Sequence, residues 1–183
     1  MNEARPPFAD ILVREARYED VRAIRAIYAH HVLHSVASFE EAPPDETEMN
    51  RRREEILAKG FPYLVAERQG VVRGYGYCNS FRPRSAYRYT VEDSVYVAPD
   101  AVGQGFGRAV MREVIRRATA LGMRQMVAVI GESESGASIS MHESLGFRRV
   151  AVLQAVGFKL GRWVDGIVMQ LELGDGDRSL PRF

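Results

Sequence analysis

The chain has 183 residues, enough for one ordinary domain, and its 25 Lys and Arg residues nearly balance its 24 Asp and Glu residues. With 46% hydrophobic and 27% charged residues, its composition is that of an average globular protein. The formal net charge of +1 excludes a strongly basic nucleic-acid binder and an acidic disordered tail, although it is compatible with a local basic pocket.

The cysteine content and the N-terminal sequence predict where the protein resides. Its one cysteine, Cys78, lies in an apolar run and cannot form an internal disulfide, so we expect a buried strand thiol in a reducing compartment. The first ten residues lack the apolar core of a signal peptide, and no apolar stretch approaches the ~18–20 residues that a membrane span needs. We therefore expect a soluble, cytoplasmic protein that binds neither membranes nor nucleic acids.

Periodicity and turn residues predict one domain over residues 11–173, between polar tails at 1–10 and 174–183. The Gln69-Gly70 pair predicts a hairpin turn, and Gly122 predicts the end of a helix. The predicted elements are a strand at 11–14, helices at 19–33 and 45–59, strands at 63–67, 71–77 and 90–97, a helix ending at Gly122, a strand at 126–130, a helix at 137–145, and strands at 147–153 and 164–173. The order βααβββαβαββ is typical of an α/β domain with a mixed sheet.

A glycine-rich loop at residues 103–108 joins a predicted strand to an amphipathic helix. Backbone N–H groups in such a loop, together with the N-terminus of the following helix, favour an anion such as pyrophosphate. The loop is not a dinucleotide fingerprint, since Arg108 stands where a Gly or Ala is needed, and it lacks the Gly-Lys-Ser/Thr of a P-loop. A tight turn that needs glycine only for positive φ is the alternative.

Gly105 and Gly107, in this strand-loop-helix setting, resemble the Gln/Arg-x-x-Gly-x-Gly/Ala motif of the GNAT superfamily of acetyl-CoA-dependent N-acyltransferases. Val102 departs from that motif at its first position. The segment 138–147 resembles the last cofactor segment of the family, with Ser135 where an Asn is common. The resemblance implies the GNAT fold, with a mixed central sheet flanked by helices, and acetyl-CoA as co-substrate without a metal. The cofactor contacts it implies are Val95, Tyr96, Val97, Gly103, Gln104, Gly105, Phe106, Gly107, Arg108, Ser135 and Ser138.

Five further segments, at 37–41, 81–83, 87–97, 157–165 and 169–171, resemble the phosphinothricin/methionine sulfoximine acetyltransferase branch of that superfamily. This likeness implies acetyl transfer to the α-amino group of a small amino-acid analogue, and a homodimer. A carboxylate-bearing acceptor calls for guanidinium or hydroxyl donors. The implied substrate residues are Phe39, Arg82, Tyr87 and Arg88.

The resemblance also implies two catalytic residues, Glu92 as general base and His142 as the proton donor to the departing thiolate. Removing a proton from the amine suits a strand carboxylate, and an imidazole titrates close to neutral pH. A backbone N–H of the strand around Tyr96 would stabilise the thioester oxygen. Judged by the residues alone, Glu92 could equally be a surface or ion-paired residue, and His142 a capping or surface histidine.

Three other features have simpler interpretations. His30, His31 and His34 lack a companion carboxylate for a zinc motif, which favours a packed or solvated helix face. The three arginines at 51–53 lie at helical spacing from glutamates, which favours a salt-bridged face. We interpret Trp163 as an exposed aromatic in a β-turn, at an interface or a substrate rim.

Two alternatives to this function stay open. One is a GNAT enzyme that acts on a protein N-terminus, a polyamine or an antibiotic amine. The other is a CoA-binding module without acceptor chemistry.

Overall fold

The predicted order of strands and helices is present in a computed structural model that describes residues 10–131 and 136–181. Within those residues, seven strands and four α-helices follow one another in the order that the sequence predicts. No described helix is long and apolar enough to cross a membrane. The elements are β1 (Leu12–Glu15), α1 (Val21–His34), α2 (Glu46–Ala58), β2 (Tyr63–Arg68), β3 (Val71–Ser80), β4 (Thr90–Val97), α3 (Phe106–Ala120), β5 (Gln125–Gly131), α4 (Ala137–Ser144), β6 (Arg148–Lys159) and β7 (Arg162–Glu172).

The strands form one mixed sheet in the order β1-β2-β3-β4-β5-β7-β6. Every neighbouring pair is antiparallel except β4 and β5, which run parallel. These two strands pair only where Thr90, Val91 and Glu92 face residues 125–127. Beyond Glu92 each strand continues without pairing to the other, so a cleft opens in the middle of the sheet.

Alternation along β4 sends neighbouring side chains to opposite faces of the sheet. The Tyr96 ring contacts Tyr28 of α1 with centroids 5.0 Å apart, whereas Asp93 bonds to His142 of α4. Glu92 therefore shares the face of α1 and α2 with Tyr96, and Asp93 lies on the face of α3 and α4. The two adjacent carboxylates of β4 therefore lie in different environments, on opposite faces of the sheet.

Local signals fix the turns and helix ends where the sequence predicts them. Gln69 and Gly70 both have positive φ, at 52° and 76°, as a tight hairpin turn requires. Gly122, at φ 80°, follows the last residues of α3. The Asp45 carboxylate accepts the Glu48 N–H at 2.8 Å and caps α2.

Ion pairs cover the exposed side of α2, as the charge pattern predicts. The Arg51 guanidinium contacts the carboxylates of Glu48, at 2.6 Å, and of Glu55. Arg52 pairs with the same Glu48, while Arg53 donates to the Ala16 carbonyl instead. Two of the three arginines thus confirm the salt-bridged face.

The hairpin of β6 and β7 differs from its prediction. β6 runs to Lys159 rather than ending near 153, because a register shift between Leu153 and Gly157, with Ala155 at φ 49°, lets the strand continue past an irregularity. The turn is formed by Leu160 and Gly161, so the placement of Trp163 in the turn is wrong. Trp163 lies on β7, 66% exposed, against the ring of Phe158.

Candidate active site

Glu92 stands where β4 and β5 part, with its half-buried carboxylate on the face of α1 and α2. Burial raises its pKa, and the neighbouring charge of Asp93 raises it further, while the Arg82 guanidinium partly opposes both. A carboxylate with a raised pKa holds a proton closer to neutral pH than an ordinary glutamate does. This combination of position and basicity suits proton abstraction.

The backbone of β4 presents alternate N–H groups to the cleft. Ala98 N–H donates to the Arg73 carbonyl at 2.8 Å, which continues the antiparallel ladder with β3. Since hydrogen-bonded residues alternate in such a ladder, Tyr96 also bonds to β3, while Val95 and Val97 turn their N–H groups away from it. Val95 and Val97 are thus the donors that a carbonyl oxygen in the cleft would meet, and the Tyr96 N–H is already used.

His31 on α1 contacts the open end of β4. Its Nε2 lies 2.8 Å from the Val97 carbonyl oxygen, and burial lowers its pKa, so the neutral ring donates through Nε2–H. The sequence predicts a packed or solvated helix face here, and His31 is packed against the end of β4 at Val97. In the described part of the chain no group of three or more potential metal ligands converges.

The three glycines of the loop are needed for two different reasons. Gly103 and Gly105 have φ values of 78° and 91°, which glycine adopts without strain. Gly107 is not in that region; a Cβ there would lie 3.2 Å from Met141 Sδ and 3.3 Å from Val97 Cγ2. The turn alternative therefore explains only part of the motif, because Gly107 brings α3 close to β4 and α4.

The N-terminus of α3 carries unpaired donors. The first intrahelical bond here runs from the Ala109 N–H to the Gly105 carbonyl, and no side chain of residues 10–131 or 136–181 caps the helix. The N–H groups of Phe106, Gly107 and Arg108 are thus without helical acceptors, an arrangement that suits an anion.

The three side chains of this loop that are larger than glycine have different surroundings. Phe106 is buried in the core, so only its backbone can face a ligand. Gln104 donates to the Asp100 carbonyl at 2.8 Å and accepts from Arg68 at 3.1 Å. Arg108 has no carboxylate partner among the described residues, which leaves its charge for an anion.

His142 is almost completely buried, with 2% of its surface exposed. Its Nδ1–H donates to the Ser138 carbonyl at 2.7 Å, and its Nε2 lies 3.0 Å from Asp93 Oδ2. Burial disfavours the charged ring, but the hydrogen bond and charge of Asp93 outweigh it, so the pKa of His142 lies above its usual range. The surface-histidine alternative is therefore wrong: His142 is an inner residue with both nitrogens engaged.

Asp93 is a site residue that the sequence reasoning missed. It is buried, and its Oδ1 has no hydrogen-bond partner among the described residues. The only sequence signal is its place directly after Glu92, on the opposite face of the strand. Ser138 lies beside the pair, with its Oγ 3.4 Å from His142 Nδ1, and Ser135 falls outside the described residues.

The predicted acceptor residues are divided between two places. Arg82 lies near enough to Glu92 to affect its pKa, and its guanidinium stands 5.1 Å over the Phe81 ring. Tyr87 packs its ring edge against that same Phe81, whereas Arg88 covers Tyr89. Phe39 is remote in sequence, on the loop between α1 and α2, and packs against β6.

Comparisons with known proteins agree on a family. The profile described as Acetyltransferase (GNAT) family matches residues 24–147. A phosphinothricin N-acetyltransferase of Alcaligenes faecalis is 53% identical over 169 residues, covering 92% of this chain and 86% of that protein. An L-methionine sulfoximine/L-methionine sulfone acetyltransferase of Salmonella typhimurium is 42% identical, covering 89% of this chain and 95% of its own length.

Comparison with solved structures finds the same family. The crystal structure of a GNAT superfamily phosphinothricin acetyltransferase from Sinorhizobium meliloti, in complex with AcCoA, superposes with a TM-score of 0.91. It is 46% identical in sequence, and the match covers 94% of each chain.

Proposed function

The chain belongs to the acetyltransferase (GNAT) family, and from that membership we propose that it transfers acetyl from acetyl-CoA to the α-amino group of a small amino acid. The acceptor class is that of phosphinothricin, methionine sulfoximine and methionine sulfone, the compounds for which its relatives are named. The observation that carries the proposal is Glu92, a half-buried carboxylate of raised pKa at the point where the sheet opens.

The described residues fit acetyl-CoA at the cleft. The unpaired N–H groups at the start of α3, together with Arg108, would hold the pyrophosphate. Gly103 has open space where a Cβ would stand, so the backbone there can approach the phosphates closely. Bound there, acetyl-CoA supplies the acetyl thioester. The N–H groups of Val95 and Val97 would stabilise the charge that develops on the thioester oxygen.

Glu92 takes the proton of the acceptor amine, directly or through a water, as the amine nitrogen bonds to the acetyl carbon and the carbon–sulfur bond breaks. Arg82, beside Glu92, pairs with the carboxylate of the acceptor, and Tyr87 and Arg88 line the same loop. Transfer is direct, since Cys78 is fully buried and burial raises the pKa of its thiol to about 12. A thiol in that state is a poor nucleophile.

His142 is the proposed source of the proton that the departing thiolate takes up. Both of its ring nitrogens hold internal hydrogen bonds, to Ser138 and Asp93. Donation would break one of these bonds. Asp93 therefore controls how readily His142 gives up its proton.

A homodimer and a cytoplasmic location complete the proposal. The edge strand β6, its neighbour β7 and the turn between them expose a row of apolar side chains that a second copy would cover, namely Val152, Val156, Phe158, Leu160 and Trp163. The free, buried thiol of Cys78 is in keeping with a reducing compartment.

The test is a thiol-release assay with acetyl-CoA and a panel of amines. Methionine sulfone, methionine sulfoximine and phosphinothricin should release thiol well above the rates for polyamines, aminoglycosides and peptides with free N-termini. Preference for one of the latter groups would replace the acceptor class, and no release with any amine, despite acetyl-CoA binding, would indicate a binding module.

A further inference from the structure

A short segment of the loop between α1 and α2, residues 36–41, is tied to both helices. The Ser38 hydroxyl and the Tyr28 hydroxyl lie 2.9 Å apart. Tyr28 also donates to Glu40 Oε1 at 3.0 Å, and Arg52 donates to the same oxygen at 2.6 Å. These bonds determine the position of segment 36–41 from the helix side.

On its sheet side, segment 36–41 is held by close packing on the strands and by one lysine. Two glycines let it lie directly on the strands: a Cβ at Gly131 of β5 would overlap the Val36 carbonyl, and one at Gly157 of β6 would overlap the Phe39 ring. The Lys159 ammonium then donates to the Ser38 carbonyl. Gly131, Gly157 and Lys159 therefore determine how closely segment 36–41 approaches the sheet.

Lys159 is unusual because it is a lysine with only 3% of its surface exposed. Burial lowers its pKa, against the charges of Glu41 and Glu40 on the segment above it, and His31 of α1 also faces it. A buried ammonium is costly unless it is hydrogen-bonded, so Lys159 and segment 36–41 each depend on the other.

An open stretch of sheet separates Glu92 from segment 36–41. The parallel register places Val127 beside Glu92, and Val129 and Gly131 follow on the same face. Val129 is 40% exposed, while Gly131 lies under Val36. The four residue-to-residue steps from Val127 to Gly131 span about 13 Å at ~3.3 Å per step, which is room for a small amino acid.

Phe39 follows Val36 by three residues on the same segment, packs over Gly157 of β6, and has 42% of its surface exposed. We propose that Lys159 and Gly157 are positioning residues that hold segment 36–41 against the hairpin, so that Phe39 limits the length of the acceptor side chain. This inference rests on the proposed acetyl transfer to small amino acids. Neither residue touches the reacting atoms; each acts through the segment.

The chain offers a matched control, because its two lysines are Lys59 and Lys159. Lys59 is exposed and donates to Asn79 at 3.0 Å. The variant K159M should raise the KM for methionine sulfone about tenfold or more, as expected for losing a hydrogen bond to a charged group. The KM for acetyl-CoA should stay within about twofold, and K59M should change neither value. Equal rises in both KM values would show a general structural role and overturn the proposal.

Hydrogen–deuterium exchange without any ligand tests the anchor separately from the function. Peptides covering segment 36–41 should exchange faster in K159M than in wild type or K59M, whether or not an acceptor is known. Unchanged exchange there would refute the anchor even if acetyl transfer is confirmed. Absence of thiol release from wild type would instead refute the proposed function.

Gly157→Ala provides a second variant that leaves the lysine in place. Gly157 does not have positive φ, so alanine is tolerated by the backbone and only the Phe39 ring must move. This variant should change the kcat/KM ratio of methionine sulfone to alanine at least several-fold. An unchanged ratio would contradict the role of Phe39. Should both variants fail to fold, slower exchange of segment 36–41 in wild type with saturating methionine sulfone is required, and its absence overturns the proposal.

Discussion

Replacing Glu92 by glutamine should affect activity and stability in opposite directions. Glutamine keeps the size and hydrogen-bonding capacity of the side chain but cannot take the proton of the amine. General base catalysis contributes typically 10²–10⁴-fold, so kcat with methionine sulfone should fall by about that factor. At ~1.36 kcal/mol per tenfold, this is a loss of roughly 3–5 kcal/mol of transition-state stabilisation.

The pKa of Glu92 gives the sign of the stability change. Burial and the charge of Asp93 raise that pKa above the value in the unfolded chain. Ionising Glu92 in the folded state therefore costs free energy, and the cost appears as the pH rises above the unfolded pKa of about 4.3. At neutral pH, E92Q should unfold at a Tm equal to or above that of wild type, and the difference should vanish near pH 4.

The assay is thiol release across pH 5–9 with calorimetry on the same samples, and Glu19→Gln serves as a control at an exposed glutamate. Wild-type kcat/KM should show an acid limb with a midpoint above the ordinary glutamate range, and E92Q should lack that limb. An E92Q enzyme that keeps its turnover, or one that loses activity together with a lower Tm, would refute Glu92 as the base.

Three further predictions concern the surroundings of Glu92 and the dimer. Asp93→Asn leaves the His142 imidazolium without its buried partner and should destabilise the fold by about 3–5 kcal/mol in urea unfolding; because the pKa of His142 is raised, the loss should be greatest below pH 6.5 and shrink above it. Arg82→Gln should raise the KM for the acceptor. Because the Arg82 charge lowers the pKa of Glu92, the same variant should move the acid limb to higher pH, and an unmoved limb would show that Arg82 does not affect Glu92. Trp163→Glu should convert a dimer into monomers in sedimentation analysis, and an unchanged mass would remove β7 from the interface.

The sequence predicts the parts of the site that depend on local geometry. The positive φ values of Gly70, and of Gly103 and Gly105 in the glycine loop, follow from a residue type that adopts those conformations. Gly107 is different, because its close packing on Met141 depends on two other elements meeting there. The pattern therefore predicts a loop of the right kind without revealing why each glycine is present.

Contacts between distant residues escape the same reasoning. Asp93 and His142 are 49 residues apart, and Lys159 and Ser38 are 121 apart. No periodicity links such pairs, since each arises only when the sheet order and the crossing of the loop are set. The length of β6 was missed for a related reason: exposed apolar residues such as Val152 and Leu153 lie next to each other, so the strand lacks the alternation that would mark it.

Glu92 and Asp93 show how one dipeptide acquires two chemical roles. Strand alternation sends their carboxylates to opposite faces, and only Asp93 meets a hydrogen-bonded cation, His142. Arg82 influences Glu92 through its charge while its guanidinium stands over Phe81, and the Glu92 carboxylate is half-buried with a pKa above that of an ordinary glutamate. If the strand slipped by one residue, the paired carboxylate would face the acceptor, and the basic one would lie in the core. The register with β5 at Glu92 is therefore as important to the proposed catalysis as the carboxylate itself.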